Sequence, residues 1–500
     1  MPLIPVIGLE THVQLKTKTK MFCACSAHAE HEAANTNICP ICMGHPGTLP
    51  VPNAQAVRFA ILLGLALGGK ITPHSKFDRK NYFYPDLPKA YQISQFDLPV
   101  MSDGELVLEI PGEEDARIGI ERAHLEEDAA KNIHGDDGKT YVDFNRGGVP
   151  LVEIVTRPDF TSAAQAKAYV QELRLIVRTL GISDGDMERG HLRCDVNVSL
   201  REVDEDGNLG PLNPKTEIKN INSFRAVERA IQYEIQRQTK LWEEGTPPTI
   251  TTTRGWNDVT QRTDEQRTKE GAADYRYFPE PDIPPLALAA LAEDIARSMP
   301  ELPSAKRRRF VTEFGFKLED ARHMVDDPAV ADFVEAAYSE LGGWLESQPE
   351  ITPETMDAER KKLTKLFAGW LITKLAGLLE ERGGNIRTMK VTPENFAEFI
   401  TLLAEGKITN TNGLKVLERM LNDGSDPEDA IRELGATRMD DVVALRQVIE
   451  LVVAEHPNEA ERYRAGEAKL LAFFLGQVMK ATQGSADAKL ATNTIKEVLS

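Results

Sequence analysis

PEPDIPP, residues 279–285, divides the chain into two kinds of sequence. Four prolines within seven residues cannot continue a helix or lie inside a sheet. Before this stretch, short alternating segments bounded by Gly, Asp, Asn and Pro read as an antiparallel sheet with inserted helices. The clearest of those helices is predicted over 165–180, with Tyr169, Leu173, Ile176, Val177 and Leu180 on one stripe and Gly181 as its stop. A second is predicted over about 223–243. After the prolines nearly everything has helical period, as at 329–341, 358–382, 393–405, 439–454 and 467–481. Breaks at Gly383-Gly384 and near 410–412 divide this half. The reading is therefore α+β. Residues 1–293 form a largely antiparallel sheet domain with an inserted segment at 23–42, residues 294–408 a helical domain, and residues 409–500 a small helical tail.

Composition bounds the function. Five hundred residues exceed one hydrophobic core. A hydrophobic share of 41% with 27% charged residues is that of a soluble globular protein. The longest apolar run, 59–67, is too short to span a bilayer. A β pattern is entered by residue 6, which leaves no room for a signal peptide, and the expected address is the cytoplasm. The net charge of −19 excludes a protein that coats nucleic acid indiscriminately, DNA included, but is compatible with an RNA read through shape.

Strand parity locates the chemistry, since residues two apart share a face. Ile7, Leu9, Thr11, Val13 and Leu15 oppose Gly8, Glu10, His12 and Gln14. Leu192, Cys194, Val196, Val198 and Leu200 oppose Arg193, Asp195, Asn197 and Ser199, and Lys215, Glu217 and Lys219 share a side. Glu153 interrupts an apolar run, a costly position without a partner. A solvated outer face accounts for one such strand; four of them, with acid and histidine at i, i+2, point to a working face. Its residues suit nucleotide-dependent activation of a carboxylate, which needs a divalent metal on hard ligands and cations for phosphate. Glu10, His12, Glu126, Glu127, Glu153 and Asp195 form the catalytic set, with Glu10, His12, Glu127 and Glu153 as the expected magnesium ligands.

The phosphate-binding set is centred on DRKNYFYPDLPKAYQISQFDLP, residues 78–99. Its three prolines break regular structure, while cations, amides and five aromatic rings crowd together as in a site loop. Arg79, Lys80, Asn81 and Tyr82 from this segment, with Lys219 and Arg276, are the candidates for binding ATP. A P-loop does not compete: in GLALGGK, residues 64–70, Ile71 follows where Ser or Thr belongs, and the lead-in is a helix, not a strand.

Cys23-x-Cys25, thirteen intervening residues, then Cys39-x-x-Cys42 is the spacing of a closed tetrahedral zinc site, with a redox pair as the competing reading. Cys194, on the apolar side of its strand, reads as an inert core residue.

Residues 78–99 also resemble the signature of the B subunits of glutamyl-tRNA(Gln)/aspartyl-tRNA(Asn) amidotransferase. So do VIGLETHVQL near the start, HLEEDAAK from His124, PLVEIVTRPD from Pro150, LRCDVNVSLR from Leu192, EIKNINSF from Glu217, ADYRYFPEPD from Ala273 and, more loosely, GQVMKATQG at 476–484. The resemblance implies a kinase-like cradle, a helical domain and a tRNA-holding tail, in which Lys469, Lys480 and Lys489 are the basic candidates. It further implies ATP as a substrate, Mg2+, a structural Zn2+ and misacylated tRNA. The expected partners are an amidase A subunit, which supplies ammonia, and a small C subunit, completing a heterotrimer. Two other readings are a non-catalytic zinc-stabilised RNA-binding scaffold and an ATP-dependent ligase for a free amino acid.

Overall fold

The computed structural model describes residues 2–110, 113–268, 275–439 and 441–500. Ala273 and Asp274 of the ADYRYFPEPD motif, and Asp440 within the helix predicted over 439–454, lie outside them. The chain forms two compact units, Met1–Leu302 and Pro303–Ser500.

The first unit is built on a nine-stranded sheet. Its order from one edge is Arg262–Thr268, Thr252–Asn257, Thr216–Ile221, Leu192–Glu202, Leu3–Gln14, Pro150–Thr156, Ala116–Glu127, Met101–Leu108 and Lys70–Ile71. All neighbours are antiparallel except Thr216–Ile221 with Thr252–Asn257. Ile7, Leu9, Val13, Ile154, Val196 and Val198 turn one face into the core. Helices Ala54–Ala66, Ala163–Thr179 and Phe224–Glu243 cover it with Ile61, Tyr169, Leu173, Val227 and Ile231. Each large apolar side chain buried there contributes about 1.5–3 kcal/mol. The helices start where side-chain oxygens of Asn53, Ser162 and Ser223 accept their free N–H groups. The first ends at Gly68, whose φ of +66° suits glycine, so GLALGGK is a helix stop. Cys194 is buried in this core.

One irregularity places half of the polar face. Along Ala116–Glu127, Ile118 and Ile120 point into the core, yet so do Ala123 and Leu125, of opposite parity. The register explains it: Val155 pairs with Arg122 but Thr156 with Ile120, leaving Glu121 as an extra residue. This β-bulge flips the alternation and brings His124 and Glu126 to the polar side.

The 78–99 segment is more regular than its prolines imply. Asp78–Asn81 and Tyr91–Ser94 are strands, and Arg276–Pro279 joins them in a three-stranded antiparallel ribbon. Pro85 and Pro88 fall in the connection between the two strands and Pro99 after them, where no ladder N–H is needed.

The second unit is helical from Pro303–Thr312 onward. The helix predicted over 358–382 is divided: Pro353–Gly369 passes through a π-helical turn, Trp370–Leu375, into Ala376–Glu381. Phe310, Phe316, Tyr338, Phe367 and Phe396 make an aromatic core. A separate core is formed by Leu445, Ile449, Phe474, Val478 and Ile495. The two are stitched together by Thr409 and Asn412, which bond to the backbone of Gly484 and the hydroxyl of Ser485.

Candidate active site and metal centre

On the polar face the strand register sets His124 opposite Glu153, Glu153 opposite His12, and His12 opposite Arg193. Nε2 of His12 is 3.4 Å from Glu126 and 3.5 Å from Glu153; Nε2 of His124 is 3.2 Å from Glu153 and 3.8 Å from Glu126. Two imidazoles thus share two carboxylates, and of the four only His12 is partly exposed. Burial disfavours the charged imidazole of His12, but Glu153 and Glu126 outweigh it and lift its pKa to about 9. His124 moves up by the same balance. Burial likewise opposes the Glu153 carboxylate, which the two histidines hold well below its usual range.

A divalent cation fits this cluster. Ligand atoms of His12, Glu126 and Glu153 lie within 4.8 Å of one another. One buried carboxylate oxygen of Glu126, Oε2, and Nδ1 of His124 have no hydrogen-bond partner among the described residues. The carboxylate oxygens suit a magnesium-like ion, whereas the imidazole of His12 is a donor more usual for a transition metal.

A cavity of about 650 Å³ opens over the cluster. Glu10, His124 and Glu153 line one side; Lys80, Tyr275, Tyr277 and Phe96 line the other. Phe96 and Tyr277 stack at 4.4 Å. Among the described residues Lys80 has no carboxylate within ion-pair distance, and it is flanked by the rings of Tyr275 and Tyr82, 4.8 and 5.7 Å from its ammonium. Its burial opposes the ammonium, yet the field of Glu126 and Glu153 raises its pKa.

The other candidates divide. Glu10 accepts a hydrogen bond from Asn197, and Asp195, its cross-strand neighbour, pairs with Lys219 at 2.8 Å. Glu10, Asp195 and Lys219 therefore border the cluster. Tyr82 donates to Gln92, and Asn81 ties its strand to the carbonyl of Arg276, whose own side chain is exposed. Arg79 turns to the other side of the ribbon, bidentate on Glu280 at 2.6 and 3.0 Å and over the ring of Tyr91. Glu127 also turns away: Lys89 at 2.5 Å and the N–H of Ile93 hold its carboxylate. Neither Arg79 nor Glu127 joins the cluster. Lys469, Lys480 and Lys489 stand on or beside the terminal helices, with no acidic partner within ion-pair distance among the described residues.

Two features escaped the sequence reading. His124 was hidden because the bulge at Glu121 breaks the parity that exposes the other strands. The Arg193–Asp128 pair, 2.5 Å apart, places a guanidinium beside His12, a contact between distant residues that no local pattern announces.

The second centre gathers Cys23, Cys25, Cys39 and Cys42, with sulfurs within 4.8 Å of one another. The N–H of Cys39 donates to the sulfur of Cys42 at 3.2 Å. A hydrogen bond with Cys23 is the main cause that draws the Cys42 thiol down to about 4. Four soft donors with no open position fit a structural zinc ion.

Sheet and site together define a catalytic domain with an attached four-cysteine cluster, and the comparisons give its class. Residues 5–293 match the family model described as the GatB/GatE catalytic domain, and residues 354–499 the one described as the GatB domain. The B subunit of the aspartyl/glutamyl-tRNA(Asn/Gln) amidotransferase of Thermodesulfovibrio yellowstonii is 45% identical over 495 residues, covering 99% of this chain and 98% of its own length. The corresponding proteins of Gloeothece citriformis and Persephonella marina are each 44% identical, over 99% of this chain and 97% and 99% of theirs. The chain belongs to the family of aspartyl/glutamyl-tRNA(Asn/Gln) amidotransferase B subunits. Among the described residues no helix is long and apolar enough to cross a membrane.

Proposed function

We propose that this chain catalyses the activating half of tRNA-dependent amidation in the cytoplasm, as the B subunit of a complex with an amidase A subunit and a small C subunit. Its reaction is transamidation of Glu-tRNA(Gln) and Asp-tRNA(Asn). The supporting observation is the His12–Glu153–His124 row with Glu126, facing the cation of Lys80 across an open cavity. Lys80 meets the phosphates of ATP, and the Phe96–Tyr277 stack offers an apolar wall. His12, Glu126 and Glu153, with Glu10 beside them, would hold Mg2+, which when bound screens the charge between phosphate and carboxylate. Asp195 and Lys219 fix the border of the site, and Asp128 orients the guanidinium of Arg193 towards the incoming anion.

In this reading an oxygen of the aminoacyl side-chain carboxylate attacks the γ-phosphorus of ATP, and ADP leaves. Ammonia then attacks the carbonyl carbon of the acyl phosphate, and phosphate departs carrying the proton, leaving the amide. The sheet acts as a kinase-like cradle without a P-loop. The helical unit, with Lys469, Lys480 and Lys489, holds the tRNA. The test is amide formation on each misacylated tRNA with ATP and ammonium chloride. Amidation without ATP cleavage, or none on either tRNA, would overturn the proposal.

A further inference from the structure

Lys20 is completely buried, and among the described residues no carboxylate lies within ion-pair distance of its ammonium. Its Nζ donates to the carbonyl of Asn37 at 3.0 Å and reaches that of Phe144 at 3.5 Å. The remaining neighbour is the sulfur of Cys42, at 3.8 Å. Glu127 lies across Gly148 and is already paired with Lys89. Burying an ammonium is costly unless an opposite charge accompanies it. Of the three groups in contact, the sulfur is the one that can carry that charge.

The backbone fixes the arrangement. The N–H of Lys20 bonds to the carbonyl of Cys25, the next N–H, of Met21, bonds to Gly148, and a Cβ on Gly148 would stand 3.4 Å from the lysine stem and 3.6 Å from Cys42. Those are ordinary contact distances; it is the φ of +89° at Gly148 that favours glycine there. Four thiolates around a divalent cation leave two negative charges inside the protein, and a fixed ammonium offsets one. We propose that Lys20 is the built-in counter-charge of the four-cysteine centre, a positioning residue that sets how tightly zinc is held and shields Cys42 from electrophiles. This rests on the reading of that centre as a zinc site. Partners outside the ligand shell commonly change metal affinity ten- to a hundredfold.

The test compares the full chain with its Lys20→Gln and Lys20→Arg variants. Gln keeps a donor for the two carbonyls but loses the charge; Arg keeps the charge. Zinc affinity is read by competition with a chromophoric chelator, and cysteine protection by the rate at which an aromatic disulfide ejects the zinc. Lys20→Gln should bind zinc about ten- to a hundredfold more weakly and release it faster, with Lys20→Arg closer to the wild type. If Gln destabilises the fold, Lys20→Met in zinc-saturated buffer gives the same reading from the ejection rate alone. Equal affinity and ejection in wild type and Gln, or equal losses in Gln and Arg, would overturn the inference while leaving the zinc site standing. A wild type that binds no zinc would remove both.

Discussion

His12 is the partly exposed member of a buried group, so it can be removed with little loss of packing. His12→Ala is expected to lower ATP-dependent amidation by at least about a hundredfold while the melting temperature stays near that of the wild type. Near-normal activity at saturating magnesium would exclude it from the site. Lys80→Ala should raise the KM for ATP and leave tRNA affinity unchanged at constant salt, because its ammonium faces the cavity and no described carboxylate pairs with it. Lost tRNA affinity with normal ATP use would instead assign Lys80 to RNA contact. At this scale the sequence was informative where alternation was regular: Glu10, His12 and Asp195 lie on the face where parity puts them, and Glu153, noticed as an acid interrupting an apolar run, pairs opposite His12. It was ambiguous at Glu126 and Glu127, because the deciding bulge is five residues upstream and leaves no signature of its own. The bidentate Arg79–Glu280 pair joins residues far apart in the chain, and only the ribbon brings them together.

Among elements, the inserted cysteine segment, residues 23–42, buries few apolar side chains of its own, Ala27 and Cys42 among them, so a metal on its four cysteines would add to its stability. Replacing Cys39 and Cys42 together by serine should abolish zinc binding and lower the melting temperature, since structural zinc contributes folding free energy directly. Metal analysis and a thermal melt of the same samples check this; a zinc-free wild type with an unchanged mutant would refute it. The helical half offers a second case. A Cβ on Gly413 would meet the Trp370 ring at 2.9 Å, where the helix Asn410–Asp423 crosses the π-helical turn. Gly413→Ala should therefore destabilise the protein by about 1–3 kcal/mol, measured by chemical denaturation. Periodicity revealed the helices, but not the π turn at Trp370–Leu375, which carries no periodic signature of its own.

For the whole molecule, sheet first and helices after was legible from the proline boundary, because polar alternation and helical period differ in kind. Within the tail, the residues beyond 440 form a separate core, tied back to Thr409 by its bond to Gly484. Removing residues 441–500 should weaken binding of aminoacyl-tRNA at one fixed salt concentration, while ATP binding to the first unit persists. Equal affinities for truncated and full chains would exclude the tail from RNA recognition.

Glu126, Glu127 and Asp128 are three consecutive acids with three different employers. The first serves the histidine row, the second the Lys89 anchor beside the cysteines, and the third the guanidinium of Arg193. One peptide segment is thus a party wall between two chemically separate rooms. Replacing each acid in turn by its amide is expected to give three unlike phenotypes: lost chemistry, a loosened wall, and a misdirected cation. Neighbours in the chain would behave as strangers in the assay.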